Sequence, residues 1–449
     1  MYSELLKKYN VPGPRYTSYP TVPYWDDKTY GGDSWISSIK KSVGEFGNVL
    51  SLYIHMPYCE SLCTFCGCNK RITKNHEVEL PYINGLLKEL KLYLDHFDSK
   101  PTIKEIHLGG GTPTFFKPEN LKTLIDGILD RIEKAEEHAF SFEANPVNTT
   151  KEHLQVLFDL GFRRVSLGIQ DFDSKVQFII NRIQSFELVK EVTDNAREIG
   201  YTSINYDVIY GLPLQTRESI EDTFNKVLKL RPERIAYYSY AHVPWIKGNG
   251  QRRYAEDDLP KEDVKRSFYE LGRQQLLASG YNEIGMDHFG LPEDELFQAM
   301  EEDTLHRNFM GYIPFVSKNL IGLGVSSISD SWYGFSQNEK KIDDYLNKVN
   351  EGKLPLLKGH ILNDEDILIR QVILDIMCLF RVILPVEFIL DNRIKEQLQL
   401  FEADGLVELK GNELTITELG KPFLRNVCMI FDLRLMRQKP ETKLFSMTI

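Results

Sequence analysis

The sequence predicts an α/β fold: an incomplete (β/α)6, TIM-like barrel with an extension over residues 46–350, an N-terminal arm over 1–45, and a mostly helical, winged-helix-like C-terminal domain over 355–449. Three observations carry that expectation. β-rich runs recur six times, most of them separated by segments of helical periodicity; a run dense in proline, tyrosine and glycine precedes them; past about residue 355 the rhythm changes. At 449 residues two domains are the default, and 42% hydrophobic with 27% charged residues suits a globular chain with a sizeable core.

The arm, "NVPGPRYTSYPTVPYWDDKTYGG", holds four prolines within twelve residues, which precludes a regular helix there. Its aromatic density suits a segment lying across a larger body better than a disordered leader. The β-rich runs are "VLSLYIH" (49–55), "IKEIHLG" (103–109), "AFSFEAN" (139–145), "RRVSLGI" (163–169), "INYDVIY" (204–210) and "RIAYYSY" (234–240). Between them, "ELPYINGLLKELKLYL" spaces Leu80, Ile83, Leu87, Leu90 and Leu94 at helical intervals. "TKEHLQVLFDLG" repeats the pattern and stops at Gly161, a C-cap residue type.

Strand and helix in alternation imply a parallel sheet covered by helices, where chemistry gathers at the C-terminal strand ends. Tyr53, the Gly109–Thr112 loop, Glu143, Gln170, Asp207 and Ala241 with His242 all fall there. Unlike polar groups at one rim read as a site. Further on, "DEDILIRQVILDIMCLFRV" and "RIKEQLQLFEADGLV" read as helices and "LVELKGNELTIT" as a hairpin turning over Lys410–Glu413. Glu402, Asp404 and Glu408 would repel phosphates, so a structural lid is favoured over nucleic-acid binding.

Fifty-four basic against 65 acidic side chains leave a net charge of −11, which also argues against a chain-wide nucleic-acid surface. No signal-like h-region opens the chain and no apolar run is long enough to insert into a membrane, so a cytoplasmic protein is expected. Of six cysteines, Cys378 and Cys428 sit among apolar residues and read as buried core thiols. The other four crowd into "CESLCTFCGCNK", from Cys59 to Cys68. In a reducing compartment such a cluster points to metal or catalysis. Spaced C-x3-C-x2-C, three thiolates can each reach a different iron of one cubane, leaving the fourth iron open to a second molecule. Zinc, which usually takes a distal ligand pair, and a redox dithiol are the alternatives.

This loop resembles the signature of radical S-adenosylmethionine (SAM) enzymes. Further motifs occur in order: "GPRYTSYPT", "CGCNK", "HLGGGTPT", "GIQDF", "YGLP", "YAHVP", "GMDHF" and "LHRNFMGY". Together they resemble the oxygen-independent coproporphyrinogen III dehydrogenases (oxidases) of anaerobic haem biosynthesis, essentially end to end. The resemblance implies that Cys59, Cys63 and Cys66 bind a [4Fe–4S] cluster and leave Cys68 over for a catalytic role near its open side. It places SAM against Tyr53, Gly110, Gly111, Thr112, Glu143, Gln170, Arg182, Asp207 and Ala241, and a second SAM near Ile328 in the Gly311–Ser329 region. Arg15 of the capping arm and Arg307 are the candidates for gripping propionates of coproporphyrinogen III.

The implied reaction is radical decarboxylation of the ring A and B propionates to vinyl groups, giving protoporphyrinogen IX, CO2, 5′-deoxyadenosine and methionine. A flavodoxin-like electron donor, an unidentified acceptor and a monomeric state are expected. One departure is visible: Asn145 in "FEANP" stands where a second carboxylate is expected, a form found in haem-chaperone-like relatives. A haem-binding chaperone and an anaerobic haem-degrading radical SAM enzyme are therefore the rival functions.

Overall fold

The structure, a computed structural model, describes residues 2–26, 28, 30–244, 250–251, 253–438 and 445–448. Six strands, β1 Val49–Met56, β2 Thr102–Gly110, β3 Glu133–Ala144, β4 Phe162–Gln170, β5 Ser203–Tyr210 and β6 Arg234–Ser239, pair in parallel and in sequence order. Each matches one of the β-rich runs. Their apolar residues, among them Leu52, Ile106, Phe142, Leu167, Tyr206 and Tyr237, are buried in one continuous core with the covering helices. The two periodic segments fold as expected, into Glu79–Leu94 and Lys151–Asp159, with Gly161 in the left-handed region at φ +103°.

One detail of the first helix departs from the stripe read in the sequence. Leu80 is 49% exposed, whereas its neighbour Glu79 is fully buried. The Glu79 carboxylate accepts from the Lys117 amide and the Asn120 side chain, so it ties the start of its helix to the start of the next. A satisfied polar anchor outweighs a leucine in the first turn.

The sheet does not stop at six strands. On one side it continues through β7 Asn282–Gly285 and β8 His288–Gly290, with β8 antiparallel to β6. On the other, β9 Asn319–Leu323 joins β1 in parallel, and β10 Ile328–Ser331, β11 Gly334–Asn338 and β12 Leu356–Ile361 follow antiparallel, making twelve strands. Because β9 is the parallel neighbour of β1, the "IGLGVSSIS" turn lies beside the C-terminal end of β1 and the cysteine loop. Between β8 and β9, residues His306–Asn308 and Gly311–Ile313 form a separate two-stranded hairpin.

The arm begins with helix Tyr2–Tyr9 and ends in helix Gly32–Phe46, with the proline-rich run between them. Tyr9 packs its ring on Phe401 and Phe423. Arg425 donates to the carbonyls of Gly13 and Pro14, and the Tyr16 hydroxyl donates to Asp432 at 3.1 Å. Trp35 and Ile39 of the second helix enter the barrel core.

The C-terminal helices Asp364–Leu379, Asn392–Ala403 and Leu424–Phe431 surround a three-stranded sheet of β13 Arg381–Ile383, β14 Val407–Lys410 and β15 Glu413–Ile416. Gly411, at φ +66°, makes the hairpin turn that the sequence placed there. Cys378 and Cys428 are both buried in this second core. No helix among the described residues is long and apolar enough to cross a membrane.

Candidate active site

At the C-terminal end of β1 the chain turns into the short strand Tyr58–Cys59 and then the cysteine loop, which packs over the parallel strands. Its path is set by hydrogen bonds: the Thr64 amide donates to the Ile180 carbonyl at 2.9 Å and Asn181 Nδ2 to the Leu62 carbonyl at 2.7 Å. Lys70 Nζ donates to the carbonyls of Cys66 and Cys68 at 3.0 and 3.3 Å, closing the loop. Cys59, Cys63 and Cys66 are partly buried and line one cavity of about 150 Å3.

That cavity also gathers Gly110, Gly111, Thr112, Glu143, Gln170, Arg182 and Asp207, from four different strands, the turn after one of them and one loop. Thr112 Oγ1 donates to Cys59 Sγ at 3.3 Å, and Arg182 Nη1 stands 3.9 Å from Cys63 Sγ. Arg182 Nη2 holds the Gly168 carbonyl at 2.8 Å, while its buried Nε has no partner among the described residues. The glycines are required by closeness. A Cβ on Gly111 would stand 2.7 Å from the Met56 carbonyl oxygen, and Gly110 adopts φ +110° against the His55 ring.

The two rim carboxyls differ in charge. Burial pushes Glu143 up, but His107, the Gly110 amide at 3.0 Å and His55 outweigh it and hold the carboxyl below its ordinary value. Burial and the nearby Glu143 raise Asp207 to about 7, against hydrogen bonds from Ser166 at 3.1 Å and Asn205 at 2.8 Å. Asn145 lines the same cavity; its Oδ1 caps the turn that follows β3, accepting from the Val147 amide at 3.2 Å.

A second, larger cavity of about 700 Å3 adjoins the first and shares Cys66, Cys68, Lys70, Gly110 and Glu143 with it. Tyr53, Phe309, Met310 and Ile328 line it. Cys68 is exposed between the two, and its side chain donates to Cys66, drawing that thiol down to about 6.

Comparison with known proteins places this geometry. Residues 53–227 match the Radical SAM superfamily. Oxygen-independent coproporphyrinogen III oxidase of Pseudomonas aeruginosa is 38% identical over 440 residues, covering 96% of this chain and 95% of the relative. That of Escherichia coli is 37% identical, covering 99% and 98%. The chain belongs to the oxygen-independent coproporphyrinogen III oxidase family. The solved structure of coproporphyrinogen III oxidase from Escherichia coli, described as a radical SAM enzyme, superposes on this family member with a TM-score of 0.88 at 34% identity, covering 96% and 98% of the two chains.

Within this family member the remaining candidates are spread more widely. Ala241 lines a different cavity, of about 500 Å3, together with Arg15, Asp287 and Arg425. It connects to the cysteine loop through Gln251, whose Nε2 donates to the carbonyls of both Ala241 and Phe65 at 3.1 Å. Arg15 is ion-paired with Asp287 at 3.0 Å. Arg307 is buried on the His306–Asn308 strand.

Three contributors went unread in the sequence. His55 Nε2 donates to the Asn69 carbonyl at 2.8 Å, leaving Nδ1 to accept from the Tyr53 hydroxyl at 3.1 Å. Burial keeps that imidazole neutral by lowering its pKa. His107 stacks on Tyr53, and Lys70 braces the loop. The period-2 spacing of Tyr53 and His55 on β1 was the available signal.

The donor set fits an iron–sulfur cluster with SAM. Three thiols, two hydrogen-bond donors directed at their sulfurs and a glycine-floored recess share one cavity. The Glu143 carboxylate, held below its ordinary value, lines the same cavity.

Proposed function

We propose that this chain carries out anaerobic haem biosynthesis as an oxygen-independent coproporphyrinogen III oxidase, converting the ring A and B propionates of coproporphyrinogen III to the vinyl groups of protoporphyrinogen IX. The observation that carries the reading is the meeting of Cys59, Cys63 and Cys66 with the Gly110–Thr112 turn, Glu143, Gln170, Arg182 and Asp207 in one cavity of a full-length family member.

Cys59, Cys63 and Cys66 would hold a [4Fe–4S] cluster, and the glycine turn, Tyr53, Glu143, Gln170, Arg182 and Asp207 would hold SAM. When bound, these groups supply one-electron reductive chemistry able to start a hydrogen abstraction, which no side chain in the cavity can supply by itself. Thr112 and Arg182 place donors on two of the sulfurs and stabilise their anionic form. Glu143, held ionised, offsets a sulfonium charge, and the Gly110 amide fixes its orientation. The larger cavity, with Ile328 on its wall, takes a second SAM. The arm over 1–45 caps the substrate, with Arg15 and Arg307 facing its propionates, and the domain over 355–449 holds the arm in place.

Each propionate gives up CO2, one hydrogen atom and one electron in becoming a vinyl group. The turnover therefore needs an external electron donor of flavodoxin type and a separate acceptor. We place the enzyme in the cytoplasm as a monomer.

Reduced, cluster-loaded protein incubated without air with SAM and coproporphyrinogen III is expected to release 5′-deoxyadenosine, methionine and CO2 and to form protoporphyrinogen IX. Absence of all four products from protein with an intact cluster would favour the haem-chaperone reading. SAM affinity is expected to depend on pH through Asp207. Above about 7 this carboxylate is ionised and attracts the sulfonium; below it the carboxyl is protonated and the attraction is lost. Equilibrium dialysis should find SAM about tenfold weaker one pH unit below that midpoint than well above it. Asp207→Asn should flatten the profile.

A further inference from the structure

We propose that the cavity beneath the barrel rim contains a carboxylate subsite in which His288 holds one propionate arm of the substrate and Arg307 supplies its counter-charge. This rests on the substrate class inferred above and adds a residue and a place to it.

Beneath the rim lies a cavity of about 150 Å3, lined by the charged residues Glu105, Glu143, Arg164, Asp207 and Arg234 and, on the wall made by β6, β8 and the hairpin, by Tyr238, His288, Met310 and Tyr312. Such a volume admits a three-carbon acid arm but no macrocycle, since an engineered void of similar size takes a single benzene. The walls differ in charge. The cavity's Glu105 has Arg164 as a charge partner and Glu143 has His107, whereas Arg15, Arg234 and Arg307 all act on His288. An anion is better received beside His288 than elsewhere in the cavity.

The charges there do not balance internally. Arg234 is held by Asp294 at 2.9 Å and Arg15 by Asp287 at 3.0 Å. Arg307 is 7% exposed, its Nε has no partner, and no carboxylate among the described residues pairs with it. A buried cation without a counter-ion is costly, so it points to a charge supplied from outside the chain. Its guanidinium lies 4.6 Å above the Tyr312 ring, directly across the hairpin. That ring walls the cavity and is fixed by its hydroxyl on the Met377 carbonyl at 3.0 Å.

His288 completes the set. It stands edge-on between Tyr238 and Tyr312, with ring centroids 5.8 and 5.6 Å away, and its buried Nδ1 has no partner among the described residues. Burial, reinforced by the three guanidiniums, holds the imidazole neutral, down to about 3. A neutral ring with a free nitrogen accommodates a carboxylate by donating Nδ1–H, without placing another cation beside three others. An arriving carboxylate would accept from the free Nδ1 and bring a negative charge near the buried guanidinium.

The test uses the cluster-loaded full chain, titrated by fluorescence with coproporphyrin III, the stable oxidised form of the macrocycle. Arg307→Gln and His288→Phe should each weaken binding by about tenfold or more, the loss expected for a charge-assisted hydrogen bond. SAM binding by dialysis and iron content should stay unchanged, and Arg307→Lys should retain most of the affinity. Unchanged porphyrin affinity in both variants, or an equal loss of SAM binding, would overturn the subsite. Should Arg307→Gln fail to fold, the pair His288→Gln and His288→Phe decides: the amide should retain binding and the phenyl lose it, and equal affinities refute the proposal. Wild-type protein that converts coproporphyrinogen III while the variants bind normally refutes the subsite alone; wild-type protein with no conversion refutes the functional reading.

Discussion

Cys63→Ala is expected to yield a folded, colourless protein that forms no protoporphyrinogen IX and cleaves no SAM. Cys63 occupies the middle of the C-x3-C-x2-C spacing, and its sulfur faces Arg182 across the cavity. On the proposed ligand set, removing it leaves two thiolates for a cluster held by three, so iron should fall from about four per chain to near zero. The fold should survive. The loop is anchored by Thr64, Asn181 and Lys70 rather than by the sulfurs, and the barrel core beneath it is continuous without them. Anaerobic absorbance and iron quantification read the first part, and a circular dichroism melt the second. A variant retaining a full complement of iron would show that Cys63 is not a ligand and that the spacing was misread.

Cys68→Ser should have the opposite signature: iron near wild type, with vinyl formation abolished. Cys68 is exposed and borders both the thiol cavity and the 700 Å3 cavity beside it. Serine keeps a donor within reach of Cys66 and leaves the two Lys70 bonds to the loop carbonyls untouched, so the three proposed ligands keep their positions. It lacks the weak S–H bond and the easily oxidised sulfur that hydrogen or electron transfer at that border would need. Loss of the cluster in this variant would make Cys68 a ligand and move the open coordination position elsewhere. Normal vinyl formation would reduce it to a bystander.

Most of the barrel could be read from the chain because its signals are local. Period-2 apolar runs ending in polar residues, and helical stripes such as Ile83, Leu87 and Leu90, need only neighbouring positions to be recognised. The same locality exposes the rim: Tyr53, Glu143, Gln170 and Asp207 each lie in the C-terminal half of a strand, and parallel pairing places those halves side by side. What escaped has a non-local cause. β7 and β8 are only four and three residues long, and they are strands because β6 offers an unpaired edge. β9 is recognised as a barrel neighbour only once Leu320–Leu323 pair with Ser51–Ile54. Leu80 was misplaced because a buried carboxylate with three partners, Glu79, took the inward position in the first helical turn.

By itself, then, the order of residues determined the alternating α/β architecture, the triple-thiol spacing and the set of strand ends that could meet. Those follow from bond geometry and side-chain periodicity, which act over a few residues. Only the tertiary structure decided that Ala241 opens onto a different cavity from Gly111, that Arg15 already has a carboxylate, and that Arg307 and His288 have none among the described residues. Pairing and desolvation depend on atoms hundreds of positions apart, and a charge's surroundings exist only after the chain has closed around it.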